Sequence, residues 1–192
     1  MNQNVIFLAS GSPRRRELLT QIGVTFECLV TDVDESVLEN EAPSDLVQRL
    51  SLLKSSAAQT VLGPSPVIIG ADTTVAIEGQ MFGKPTDRED ALHMMARLSG
   101  KVHKVFTGVT VMRGDWQKTL VQISRVTMRE TSLEERGRYW DNGEPRDKAG
   151  AYGVQGLGAV FVQRIEGSYS GVMGLPLCET AGLLAEVGCG PL

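Results

Sequence analysis

The tightest constraint on the fold stands near the start of the chain, where the apolar run Val5–Ala9 stops at Ser10-Gly11-Ser12 and gives way to Pro13 and three arginines. A short run without polar alternation suits a strand buried on both faces, as in the interior of a sheet. Ser12 followed by Pro13 reads as the N-cap and first residue of a helix that runs to about Gln21 and is ended by Gly23. A buried strand that turns through small residues straight into a helix begins an α/β arrangement.

The alternation continues. "FECLVTDVDE" reads as a strand leading into an acidic loop, and Pro43-Ser44 opens a helix to about Val61. "PVIIGADTTVAI" is a strand, "EGQ" a tight turn into "MFGKP", and Asp87 caps a helix to about Leu98. Two β-rich segments, "KVHKVFTGVTVMRG" and "LVQISRVTMRE", precede a helix over about Leu133–Asn142. "GAVFVQRI" is a late strand, and a last helix runs from Pro176 to about Val187. Strands alternating with helices, beside strands with no helix between them, imply a mixed α/β sheet flanked by helices. No repeat, low-complexity stretch or long linker divides the 192 residues, so the expectation is one domain over 1–192.

The balance of charge narrows the partners. With a net charge of −4 and a pI near 5.3, the surface as a whole does not attract nucleic acid or an anionic membrane. Two Trp, three Tyr and five Phe supply no basic-aromatic platform for a nucleic-acid partner. Cys28, Cys178 and Cys189 lie far apart and match neither a disulfide framework nor zinc spacing. No apolar run approaches the ~20 residues of a membrane span. These features point to a cytoplasmic protein with free thiols.

Against that acidic background Arg14, Arg15 and Arg16 need a reason. They occupy the first turn of a helix, where the dipole opposes cations and backbone N–H groups invite an anion. On a helical projection Leu18, Leu19 and Ile22 form the apolar stripe, Arg14 and Arg15 lie one turn before it, and Arg16 faces away. The alternatives are a phosphate site and a solvated basic turn offset by Glu17. Lys54 falls within the stripe Leu46, Val47, Leu50, Ala57 and Val61, so it either snorkels to solvent or points at a fixed negative charge. Asp72 ends a core-like run and needs a partner or a metal, unless it caps a neighbouring loop. Asp34-Glu35 adds acidic groups, Lys84 a further cation, and "EPRDKAGAYGVQGLG" joins Glu144, Asp147 and Lys148 to four glycines suited to close backbone wrapping. Cations for phosphates and carboxylates for a divalent ion are the groups that phosphoryl chemistry requires. There is no GxxxxGK[ST] and no HExxH, and His93 and His103 have no triad spacing.

Taken in order, "LASGSPRRRELL", "DVDES", "GADTTV", "FGKP", "DKAGAYGVQGLG" and "GLPL" resemble the motifs of the Maf family of nucleoside triphosphate pyrophosphatases, from about Val5 to Thr180. The resemblance implies an inosine-triphosphate-pyrophosphatase-like fold, with two lobes around a cleft, and a homodimer. It implies hydrolysis of a nucleoside triphosphate to the monophosphate and pyrophosphate with Mg²⁺ or Mn²⁺. By the same likeness Asp72 is the proton acceptor, Ser10, Arg14 and Arg15 bind phosphate, Lys54 and Lys84 line the site, and Glu35 helps hold the metal, with Asp72 a second candidate ligand. Arg14, Thr73 and Gln155 are similar to the branch that acts on dTTP and UTP, for which clearance of non-standard nucleotides is the implied role. The "SFKSEG"-like loop of the branch acting on 7-methyl-GTP is absent. Two rival expectations are the same reaction on 7-methyl-GTP and a nucleotide-binding regulator of septum formation.

Overall fold

Ile6–Ala9 forms strand β1 and Pro13–Gln21 helix α1, so the strand–turn–helix at the start of the chain is present as expected. The structure is a computed structural model that describes residues 5–192. There follow β2 (Glu27–Cys28), α2 (Pro43–Leu62), β3 (Val67–Ile77), β4 (Gln80–Phe82), α3 (Arg88–Leu98), β5 (Val102–Arg113) and β6 (Trp116–Met128). The chain ends through α4 (Leu133–Asp141), three 3₁₀ turns between Glu144 and Phe161, β7 (Val162–Glu166), α5 (Tyr169–Met173) and α6 (Leu177–Glu186). The strands make a mixed sheet in the order β2-β1-β3-β5-β6-β7, with β4 paired to β3. Among the described residues no helix is long and apolar enough to cross a membrane.

The chain divides into two compact units, and β3 passes from one to the other between Asp72 and Thr73. The first comprises Met1–Asp72, Thr107–Gln122 and Gly174–Leu192. In it β1 lies parallel to β2 and to β3, with Ala9 opposite Gly70. That register brings Ser10, just past β1, and Asp72 to the carboxyl end of the parallel pair, where open α/β sheets bind their ligands. Leu18 and Leu19 of α1 and Leu46, Val47 and Leu50 of α2 are buried with the strands.

Two glycines decide how closely α2 approaches. A Cβ at Gly70 of β3 would collide with Ser55 Oγ and the Ser51 carbonyl, and one at Gly108 of β5 with the Val47 carbonyl. Only glycine therefore lets the α2 backbone descend onto these strands. As a result the buried face of α2 runs on from Leu50 through Ser51, Lys54, Ser55 and Ala58. The expected stripe through Ala57 and Val61 is corrected: Val61 is 70% exposed, because the face rotates toward the small residues that fit against glycine.

The second unit comprises Thr73–Phe106 and Ile123–Met173. Its β3–β4 hairpin turns at Glu78 and Gly79, with φ of 50° and 80°, the left-handed pair of a type I′ turn. The core collects Val75, Phe82, Met95, Leu98, Val126, Met128, Tyr139 and Phe161. Asp87 caps α3 by accepting from Asp90 N at 2.9 Å, as its position promised.

Two expected strands are shorter than the sequence suggests. In "FECLVTDVDE" only Glu27–Cys28 pair, as the edge of the sheet, and the acidic stretch beyond is fastened by side chains: Arg49 bonds Glu41 at 2.6 and 2.8 Å and the Ser36 carbonyl at 2.9 Å. In "GAVFVQRI" the first half is 3₁₀, since the Gly158 N–H goes to Glu144 instead of a strand ladder.

His103 is 2% exposed in this second unit and shares a 2.6 Å hydrogen bond with the Tyr152 hydroxyl, while its Nδ1 is buried without a partner. Burial holds the imidazole neutral and lowers its pKa to about 4, against 6.5 for a free histidine. Above the unfolded value neither state carries the proton, so this group contributes nothing to the pH dependence. Between the two values the unfolded chain takes a proton that the folded chain refuses, and stability falls as pH falls, by about 3 kcal/mol in all. Below the folded value the difference is constant. Urea unfolding from pH 8 to 4 is expected to show this loss in the wild type relative to His103→Gln; parallel curves would contradict it.

Candidate active site

Asp72 sits on β3 with 8% exposure, and its Oδ1 accepts from Lys54 Nζ at 2.6 Å. Lys54, itself 8% exposed, also meets Glu35 Oε1 at 2.9 Å. The lysine on an apolar stripe thus does not snorkel. It joins a carboxylate from the strand to one from the loop after β2, at the point where Gly70 and Gly108 bring α2 down. The opposing effects on Asp72 are clear in kind. Burial pushes its carboxyl up, the Lys54 charge and hydrogen bond and the Arg15 charge pull it back, and burial prevails, so it lies above the ordinary carboxylate value.

The arginine turn resolves by position. Arg15 is buried, Arg14 half-buried and Arg16 exposed, as the helical projection places them. Arg15 Nε donates to the Gly174 carbonyl at 2.8 Å and Nη1 to Ser10 Oγ at 2.9 Å. Burial lowers the Arg15 pKa and the Asp72 charge opposes the change; a guanidinium so held stays cationic at neutral pH. Ser12 makes no side-chain cap to α1, and no acidic residue stands in its first turn. A fixed guanidinium, a buried hydroxyl and an uncapped helix start are groups with the chemistry to receive an anion.

Ser10, Arg14, Arg15, Glu35, Lys54 and Asp72 all belong to the first unit, and Thr73, Lys84 and Gln155 to the second. Lys84 follows β4, is exposed, and holds no ion pair or hydrogen bond among the described residues. The Gln155 amide, on an exposed loop, is likewise uncommitted. Thr73 is half-buried on β3.

The sequence profile described as Maf-like protein matches residues 5–187. The chain belongs to the Maf-like proteins. It is 50% identical over 185 residues to the dTTP/UTP pyrophosphatase of Hahella chejuensis, covering 95% of this chain and 92% of that one. To the dTTP/UTP pyrophosphatase of Methylococcus capsulatus it is 48% identical over 185 residues, covering 96% and 92%. Among solved structures, the Staphylococcus aureus Ham1 protein aligns at 14% identity over 65% of this chain and 71% of that chain, with a TM-score of 0.46.

Some of what organises this Maf-like site has little or no trace in the sequence. The Gly174 carbonyl that anchors Arg15 is a backbone atom, marked only by the "GLPL" it opens. Glu144, grouped by composition with carboxylates for a cation, turns its carboxylate to Tyr139 and to backbone N–H groups of its own loop.

Proposed function

We propose that this chain is a metal-dependent nucleoside triphosphate pyrophosphatase that converts dTTP and UTP to the monophosphate and pyrophosphate. The observation that carries the reading is the buried Asp72 carboxylate, joined to Lys54 at 2.6 Å at the carboxyl end of a parallel strand pair. Relatives near 50% identity over almost the whole chain bear that activity in their names.

In the proposed reaction Asp72 takes a proton from water as the water oxygen bonds to the α-phosphorus. The bond from that phosphorus to the α,β-bridging oxygen breaks, and pyrophosphate leaves with the electron pair. A carboxyl raised by burial is a better proton acceptor than an ordinary one. Ser10, Arg14 and Arg15 bind the phosphates, and Lys54 and Lys84 offset the charge that develops on them. Thr73 and Gln155 select the base: a free amide offers both a donor and an acceptor, as O4 and N3–H of uracil or thymine require.

The donor set suits a hard divalent cation. Mg²⁺ takes oxygen ligands, commonly one or two carboxylates, and leaves its other positions to water and substrate phosphate. Asp72 and Glu35, both within reach of Lys54 Nζ, are the pair that would hold Mg²⁺ or Mn²⁺. When bound, the ion supplies neutralisation of phosphate charge.

Pyrophosphate release from dTTP, UTP, CTP, dGTP and 7-methyl-GTP, with Mg²⁺ and with EDTA, tests the whole reading. Selective release from dTTP and UTP that EDTA abolishes is the expected result. Preference for 7-methyl-GTP would keep the reaction and overturn the base assignment. Silence from every nucleotide would overturn the enzyme and favour a nucleotide-binding regulator.

A further inference from the structure

We infer that Tyr139 and Glu144 form a clamp that fixes the Gln155 loop and through it the choice of base. This rests on the proposed role of Gln155, and every residue in it belongs to the second unit.

Tyr139, on α4, is 4% exposed, with its ring edge-on to Phe161 at 5.0 Å. Its hydroxyl donates to Glu144 Oε1 at 2.8 Å and accepts from Gly153 N at 3.0 Å. The Glu144 carboxylate in turn accepts from Leu157 N at 2.8 Å and Gly158 N at 3.1 Å. The loop is therefore pinned two residues before Gln155 and again two and three residues after it. Glycines make the approach possible, because a Cβ at Gly153 or Gly156 would press on Glu144. Lys148 fastens the base of the same loop, through the Glu144 carbonyl and Asp147 Oδ1. Burial pushes the Glu144 carboxyl up, but the bonds from Tyr139, Gly158 and Leu157 outweigh it and keep it below the ordinary value, so it accepts as a carboxylate.

Only the tip that bears Gln155 is left open, and its amide is uncommitted. That combination has a chemical consequence. A glutamine amide that can drift or turn over will pair as well with cytosine, whose donor and acceptor are reversed, as with uracil. Selectivity between them requires a loop whose position leaves one orientation in reach. Pre-ordering the flanks with one buried hydrogen bond, at Gly153, and the charge-assisted bonds to Glu144 supplies it, without adding a contact to the substrate.

Tyr139→Phe is the gentlest test, since the ring stays in the core and only the hydroxyl goes. The UTP-to-CTP ratio of kcat/KM is expected to fall about tenfold, through a higher KM for UTP far more than through kcat. Amide exchange at Gly153, Leu157 and Gly158 should accelerate in the same variant. Glu144→Gln, which turns an NH₂ toward backbone donors, should act in the same direction and at least as strongly. If it does not fold, Tyr139→Phe decides alone. Faster exchange in Tyr139→Phe with a wild-type UTP-to-CTP ratio overturns the inference, because the clamp is then only structural. So does a wild-type ratio in both variants while Gln155→Ala abolishes selectivity, which leaves the base reading standing. A wild-type ratio in Gln155→Ala removes the base reading and the clamp's role together.

Discussion

An Asp72→Asn variant is expected to lose at least ~10²-fold in kcat on UTP while still binding it, as removal of a general base commonly does. The change is nearly isosteric, so it tests chemistry more than packing. Asparagine keeps an oxygen that can accept from Lys54 Nζ but loses the negative charge and the capacity to take a proton from water. Ser10, Arg14, Arg15 and Lys84, assigned to the phosphates, are untouched, and a rise in KM should therefore be small beside the fall in kcat. Asparagine is also a poorer ligand for a divalent ion, and raising Mg²⁺ separates the two losses. A deficit that higher Mg²⁺ restores belongs to metal binding, and one that persists at saturation belongs to proton transfer. Single-turnover pyrophosphate release across a Mg²⁺ series makes the measurement. Turnover near wild type would remove Asp72 from the role.

The fold and part of the site were legible in the sequence because they depend on neighbours in the chain. The sequence Ser10-Gly11-Ser12-Pro13 dictates strand, turn and helix locally, and the 3.6-residue period then orients Arg15 inward and Arg16 outward with no knowledge of the rest. Asp87 and the Glu78-Gly79 turn are local signals of the same kind. Beyond Leu50 the sequence placed Lys54 on the buried face of α2 but not the small residues around it. Whether Ser51, Ser55 and Ala58 or Ala57 and Val61 lie inward is settled by Gly70 and Gly108, which are remote from the helix in sequence and matter through atoms they lack. β2 is shorter than its sequence suggests because an apolar-rich segment at a sheet edge has one strand to pair with, and side chains such as Arg49 fasten the remainder. Glu144 had the composition of a metal ligand, and only the fold brings Leu157 and Gly158 N–H groups to its oxygens. Residue types named the chemistry available; long-range backbone approach decided which carboxylate met the ammonium and which met an amide.

Lys54→Met should cost about 3 kcal/mol of stability at neutral pH, in the range measured when one partner of a buried ion pair is removed. Methionine replaces the length and apolar stem of the lysine, so the loss arises from charge. Both side chains of the Lys54–Asp72 pair are about a tenth exposed, and Glu35, on the other side of the ammonium, brings a second negative charge to the same place. Without Lys54 these carboxylates face each other with Arg15 as the remaining cation near Asp72. The sign of the pH dependence follows. The largest influence on Asp72 is already upward, and Lys54 supplies the largest downward one, so its removal raises the folded-state pKa further above the unfolded value. The penalty belongs to the ionised carboxylate: it is present above the folded pKa and fades as pH falls through it. The gap between Lys54→Met and the wild type should therefore narrow as pH falls from the folded pKa toward the unfolded one. A double variant, Asp72→Asn with Lys54→Met, should recover most of the loss at neutral pH, with a coupling of roughly 1–3 kcal/mol. Urea denaturation of the four proteins of this cycle at pH 7.5, repeated at pH 5, provides the test. Additive losses at the higher pH would mean that Asp72 and Lys54 are merely close, and that the ammonium does not hold the Asp72 carboxylate in its ionised form.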